Sequence, residues 1–136
     1  MIELTLEMAE KAARAAQTTA RALGTPMTVT IVDEAGRLVL SARGDGTGFF
    51  TPETSRAKAV AAAAFRRPTA ELAGQGAKGW GFWQAMPSVL AGQALPTPGG
   101  SPLVRAGRVI GGIGCGGGTG EQDQQCADAG AAALSG

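Results

Sequence analysis

Seven of the ten residues from Gly111 to Gly120 are glycine. The run follows Arg108-Val109-Ile110 and precedes Glu121-Gln122-Asp123, which opens a helix. Glycine lets backbone approach backbone or ligand closely and reach positive φ. At a strand-to-helix junction, such a density leaves two options. Either a ligand rests against bare backbone, or the fold packs a neighbour tightly there. Backbone N–H groups at a helix N-terminus bind anions well. The run nevertheless lacks the Gly-Lys-Ser/Thr of a P-loop and the βαβ setting of a dinucleotide fingerprint. Both options stay open at this level.

The rest of the chain supplies the setting. Residues 5–23 read as a helix with Thr5 as N-cap, Glu7 in the first turn and a stripe of Leu4, Met8, Ala12, Ala15-Ala16, Thr19 and Leu23. Gly24 and Pro26 end it. Residues 27–33 are β-branched and alternating, Glu34-Ala35-Gly36 is a tight turn, and 37–43 is the return strand of a hairpin. After a glycine-rich loop over 44–48, Thr51 as N-cap and Pro52 at the first position predict a helix to Phe65 with Ala57, Val60, Ala61, Ala64 and Phe65 inward. Residues 69–73 predict a short helix. Residues 74–101 read as irregular, a length that in a small domain usually serves function or hides short elements. A second hairpin, 103–105 and 108–114, turns at Ala106-Gly107, and 121–134 is the last helix. The order is that of an α+β domain with helices on an antiparallel sheet.

At 136 residues the chain is expected to form one domain, 1–136, with a proper core. A net charge of +1 with 17% charged residues gives no basic patch for nucleic acid and no acidic tail. The N-terminus shows no signal-peptide pattern, and no window is long and apolar enough to span a bilayer. A cytoplasmic location is expected, with Cys115 and Cys126 as reduced thiols. Two cysteines and no histidine make no zinc site, and no metal site is expected. The lack of histidine also removes the usual general base.

Several residues invite a chemical reading beside a plainer one. Cys115, just before a helix N-terminus, is read as a nucleophile or thiolate with a lowered pKa, or as a small buried hydrophobe. Cys126, in the last helix, reads as core. Arg43 and Asp45 either pair across Gly44, or Arg43 takes a substrate carboxylate, for which a planar guanidinium is suited. Lys58, one turn inside the second helix, can meet the same site. With Gly116, Gly117 and Thr119 these would enclose a small anionic ligand. Glu121 and Asp123 suit the first turn of the last helix; Asp123 as a general base is the sharper reading. Trp80, Phe82, Trp83 and Met86 would wall an aromatic ligand or plug a subunit interface, since tryptophan is enriched in both settings.

One resemblance runs through nearly the whole chain. Thr30-Ile31-Val32-Asp33-Glu34-Ala35-Gly36-Arg37-Leu38-Val39 comes first, then Arg43-x-Asp45-Gly46, Lys58-Ala59-x-x-Ala62-Ala63-Ala64-Phe65 and Pro68-Thr69-x-Glu71-Leu72. Gly99-Gly100-x-Pro102-Leu103-Val104 and Gly112-x-Gly114-x-Gly116-Gly117-x-x-x-x-Gln122-Asp123 follow in order. This pattern resembles the GlcG/HbpS family, also called DUF336, which includes the C-terminal domain of PduO-type proteins. The resemblance implies a profilin-like α+β fold: a five-stranded antiparallel sheet with flanking helices, hence one more strand in or near 80–95. It implies a small-molecule-binding protein, with haem or another flat apolar or aromatic ligand, in a homo-oligomer, a tetramer or octamer. A histidine-ligated haem cannot carry over to a chain without histidine, which leaves Thr, Cys or Met as ligand. The second reading is a cofactor-independent enzyme acting on a small or aromatic metabolite. There Arg43 and Lys58 would orient the substrate, and Asp45, Cys115 or Asp123 would move protons. The third is a non-catalytic oligomeric scaffold.

Overall fold

The computed structural model describes residues 3–79 and 81–135. Among the described residues, five helices, α1 (Leu6–Leu23), α2 (Thr51–Phe65), α3 (Thr69–Ala77), α4 (Gly81–Val89) and α5 (Gly120–Ala132), accompany four strands, β1 (Thr28–Asp33), β2 (Leu38–Ala42), β3 (Gly100–Arg105) and β4 (Arg108–Gly116). The strands form one antiparallel sheet in the order β2-β1-β4-β3.

Local signals explain most boundaries. The Thr5 side chain accepts the Met8 N–H at 3.1 Å, and Gly24 closes α1 in the left-handed conformation. The β1–β2 turn is held by Asp33, whose carboxylate accepts the N–H groups of Ala35 and Arg37. Thr119 and Gln122 form a reciprocal capping box at the start of α5. At α2 the expectation shifts by one residue: Phe50 is the N-cap and Thr51 the first helical residue, because the Thr51 hydroxyl turns back to Gly48 O at 2.8 Å. The inward face of α1 is also rotated, to Ala9, Ala12, Ala13, Ala16 and Ala20. α2 is buried over most of its circumference, although Ala64 is exposed.

The fifth strand is a correction. Residues 80–95 contribute no strand among the described residues; most of the segment is α4, and α3 precedes it. Trp83 and Met86 lie one turn apart and bury together with Ala61, Leu72 and Ala94. That is a helical spacing, obscured in the sequence by Gly79, Gly81 and Pro87. β3 also begins earlier than expected, at Gly100, and carries Pro102 on an edge strand, where proline is tolerated.

Alternation along β1 and β4 gives the sheet two unlike faces. Val29, Ile31, Ile113 and Cys115 enter one cluster with the alanines of α1 and with Cys126 and Ala127 of α5. The opposite face carries Thr28, Thr30 and Val32 from β1, and Gly112, Gly114 and Gly116 from β4. There α2 lies almost on the backbone of β4. A Cβ at Gly114 would fall 1.8 Å from the Ser55 carbonyl oxygen, and one at Gly112 would fall 2.2 Å from that of Ala59. Close approach therefore accounts for the glycines inside the strand.

Candidate functional site

On the α2 face of the sheet, Val32 packs on Ala59 and Ala63 and the buried hydroxyls pair with one another. Thr28 Oγ1 meets Thr51 Oγ1 at 2.8 Å, and Thr30 Oγ1 meets Ser55 Oγ at 2.7 Å. One turn further along α2, Lys58 is buried. Its Nζ donates to the Cys115 carbonyl at 3.0 Å and pairs with Asp123 Oδ2 at 3.1 Å. Asp123 Oδ1 accepts the Gly118 N–H at 2.8 Å. This centre joins α2, the end of β4, the glycine loop and the first turn of α5. Burial pushes the Asp123 carboxyl up and Lys58 pulls it back; the net direction is upward. The carboxylate of Asp123 is thus spent on an ion pair and a loop amide. Beside it, Gln124 is buried and accepts the Gly99 N–H at 2.8 Å while donating to the Gly100 carbonyl at 2.9 Å.

The expected site residues do not all gather. Lys58 and Asp123 meet, with Gly116 and Gly118 close by. Arg43 and Asp45 are exposed beyond the end of β2 and form no hydrogen bond or ion pair, with each other or with Lys58, among the described residues. Thr119 is taken by its cap. Gly117 adopts φ 140°, and a Cβ there would strike the Pro26 carbonyl at 2.5 Å. The lowered pKa expected for Cys115 is reversed. The thiol has no exposure, and burial, followed by the neighbouring Cys126 and Asp123, pushes it well up. The Cys126 thiol is raised to about 11 by burial and then by Asp123.

Trp83 is buried against Phe65, ring centroids 5.2 Å apart, while Phe82 is exposed and packs edge-on to Trp83 at 5.0 Å. Trp80 lies outside the described residues. The aromatic cluster reaches Ala61, about 200° round α2 from the Ala59 that meets the glycines. The helix therefore stands between the aromatic segment and the glycine run, and the two do not wall one pocket.

A different surface has the make-up of a ligand site. Between α1 and the edge strand β2 runs an open, largely apolar groove of about 290 Å³, with Ala13, Leu40 and Ala42 in its lining and Glu10, Arg14, Gln17 and Arg21 along it. Arg14 and Arg21 are seven residues apart, so they share one helix face. Gln17 is fixed between them by donating to the Met27 carbonyl at 2.7 Å. This groove escaped the sequence reading, although the Arg14–Gln17–Arg21 spacing was there to be read. Arg43 follows Ala42 directly at its edge.

The family model described as haem degrading protein HbpS-like matches residues 4–132. The chain belongs to this HbpS-like family. Its sequence is 31% identical over 130 residues to an uncharacterized 15.0 kDa protein in the dhaT-dhaS intergenic region of Citrobacter freundii, covering 92% of this chain and 87% of that one. Among solved structures, the PduOC:haem complex superposes with a TM-score of 0.89 at 32% identity, covering 98% of this chain and 96% of that one. A double mutant of HbpS from Streptomyces reticuli gives 0.85 at 37% identity, covering 98% and 88%. The likeness spans nearly the whole of the HbpS-like chain. None of its described helices is long and apolar enough to cross a membrane.

Proposed function

We propose that this HbpS-like protein binds haem, or a similarly flat apolar molecule bearing carboxylates, in the groove between α1 and β2. The observation that carries the reading is the pairing of an apolar floor with two arginines on one helix face, in a chain so similar to PduOC in its haem complex. Ala13, Leu40 and Ala42 would take the face of the ring. Arg14 and Arg21 would hold its carboxylates, a task suited to the guanidinium fork, and Arg43 would extend the same basic edge. These residues fit the body and the carboxylates of a haem. The iron is a separate matter. The chain has no histidine, and neither a cysteine nor a methionine lines the groove. The groove therefore holds the ligand through its ring and its acid groups, with no strong iron ligand in the lining. Haem, when bound, supplies redox and oxygen chemistry; the chain's own contribution is binding and orientation.

Haemin titration tests this. A saturable Soret change near one equivalent is expected, and the double variant Arg14→Gln, Arg21→Gln should weaken it about a hundredfold, two charge-assisted contacts being lost. No saturable change, or an unaltered affinity in the double variant, would remove the assignment. A homo-oligomer, tetramer or octamer, belongs to the same proposal. Phe49 and Phe50 stack at 4.0 Å and stand 77% and 63% exposed, an apolar pair of the kind that subunit contacts cover. Sedimentation at micromolar concentration should show an assembly, and Phe49→Ser with Phe50→Ser should dissociate it.

A further inference from the structure

A second cleft lies on the other side of the sheet from the α1–β2 groove. It measures about 390 Å³ and is bounded by the exposed side of α2, the β1–β2 turn at Gly36 and the turn after α4 at Gly92 and Gln93. Three elements distant in sequence build it, and each wall is held in place. The Gly36 N–H donates to Asp33 O, the Gly92 N–H to Pro87 O, and the Ala57 carbonyl on the cleft floor accepts the Leu95 N–H at 3.0 Å. Both turn glycines have positive φ and so offer the cleft walls with no side chain.

The charges in this cleft are unusual. Glu53 and Arg56 both line it, one turn apart, with Ala57 and Val60 continuing the same helix face. They do not pair with each other, and neither forms a hydrogen bond or ion pair with any described residue. Lys58, the only other charge in this stretch of α2, points inward to Asp123. A cation and an anion that share a cleft without meeting, over an apolar floor of Ala57 and Val60, match a ligand with both charges and a short apolar body.

We propose that this cleft is a second binding site, for a small zwitterion of the α-amino-acid type. Arg56 receives the carboxylate in its guanidinium fork. Glu53 receives the ammonium, Gln93 supplies a neutral amide at the rim, and the small side chain rests on Ala57 and Val60. The site works independently of the haem-binding groove, since the two lie on opposite faces and share no residue.

Amide NMR of the full chain tests it, with L-alanine as probe and propionate and ethylamine as partial analogues. Alanine is expected to shift the Gly36, Gly92 and Gln93 amides saturably, and each analogue to bind at least about tenfold more weakly. Arg56→Gln should lower alanine affinity by about tenfold or more, and Glu53→Gln should abolish the preference for alanine over propionate. Both positions are exposed, so unchanged spectra elsewhere will confirm an intact fold. Absence of saturable shifts, equal binding of propionate by the native chain, or full affinity in Arg56→Gln would each overturn the proposal. Haemin affinity in Arg56→Gln should equal that of the native chain, which keeps failure here distinct from failure of the haem reading.

Discussion

The two faces of the sheet solve the same packing problem in opposite ways. Toward α1 and α5, large side chains from the strands (Val29, Ile31, Leu103, Ile113) enter a surface of helix alanines. Toward α2, the strands contribute glycines and hydroxyls, and the helix comes down onto the backbone itself. The first face gains its stability from apolar area removed from water. The second gains it from dispersion at short range and from paired polar groups, which are costly if left unpaired. The second face is therefore the less forgiving of the two, and it is also the one that accommodates a buried ion pair.

Breaking that ion pair should have the largest effect. Lys58→Ala leaves the Asp123 carboxylate buried with only the Gly118 amide, and a loss of about 3–5 kcal/mol in urea denaturation is expected. The double variant Lys58→Met, Asp123→Leu should recover most of it, because no charge is then buried alone. A double variant as unstable as Lys58→Ala would show that packing, and not the orphaned charge, is the cause.

Next come the two neighbours Ile113 and Gly114, which face opposite ways. Ile113→Ala empties space in the α1–α5 cluster and should cost about 2–5 kcal/mol. Gly114→Ala adds one methyl where the Ser55 carbonyl already stands, and should cost about 3 kcal/mol. Ile113→Val, by contrast, should cost only about 1 kcal/mol. If Gly114→Ala proved as mild, the close approach of α2 would not be what requires the glycine. Thr30→Val removes the hydroxyl shared by Ser41 and Ser55 and should cost about 1–2 kcal/mol, although its shape is kept.

The smallest effect is that of pH, and it has opposite signs at two aspartates. Burial pushes Asp123 above its ordinary value of 3.8 despite Lys58. In the window between 3.8 and the folded value, the folded state holds more protons than the unfolded one, so stability from this group rises as pH falls. At Asp33, desolvation pushes the carboxyl up, but the amides of Arg37 and Ala35 and the Arg37 guanidinium outweigh it and hold the group below 3.8. Its contribution is present above 3.8 and is lost as pH falls through the folded value. Urea melts from pH 6 to pH 3 should therefore show the native chain gaining on Asp123→Asn and losing ground to Asp33→Asn. Parallel slopes would contradict the assignment.

Much of this could be read in advance where the signal is local. Thr5 and Gly24 bracket α1 and Glu34 to Gly36 close the hairpin, because caps and turns are made by residues within a few positions of each other; the cap role of Thr119, read in the sequence as a ligand contact, was missed. The start of α3 was legible at 69–73, but its continuation to Ala77 and the whole of α4 were hidden because Gly74, Gly76, Gly79, Gly81 and Pro87 read as breakers, while burial under α2 outweighs their poor propensity. The site was harder still. Lys58 and Asp123 are 65 residues apart, and only the fold brings them into contact. Cys115 illustrates the same limit: its neighbours in sequence suggest an activated thiolate, whereas its neighbours in space make it an inert part of the core.

By itself the sequence determined which residues share a face. The two-residue period of β1 and β4 sets Val29, Ile31 and Ile113 against Thr28, Thr30, Gly112 and Gly114, whatever covers them. Only the tertiary structure decided what does the covering. α2, with Ser55 and Ala59 along its own contact line, seats on the glycines; α1, with its larger reach through Arg14 and Arg21, borders β2 and leaves a groove. The physical reason is that side-chain periodicity is a property of one strand, whereas the depth of a contact depends on both partners. The glycine run that opened two options has thus been divided between them by α2: inside β4 it serves close packing, and past Gly116 it forms the loop that Asp123 and Lys58 hold.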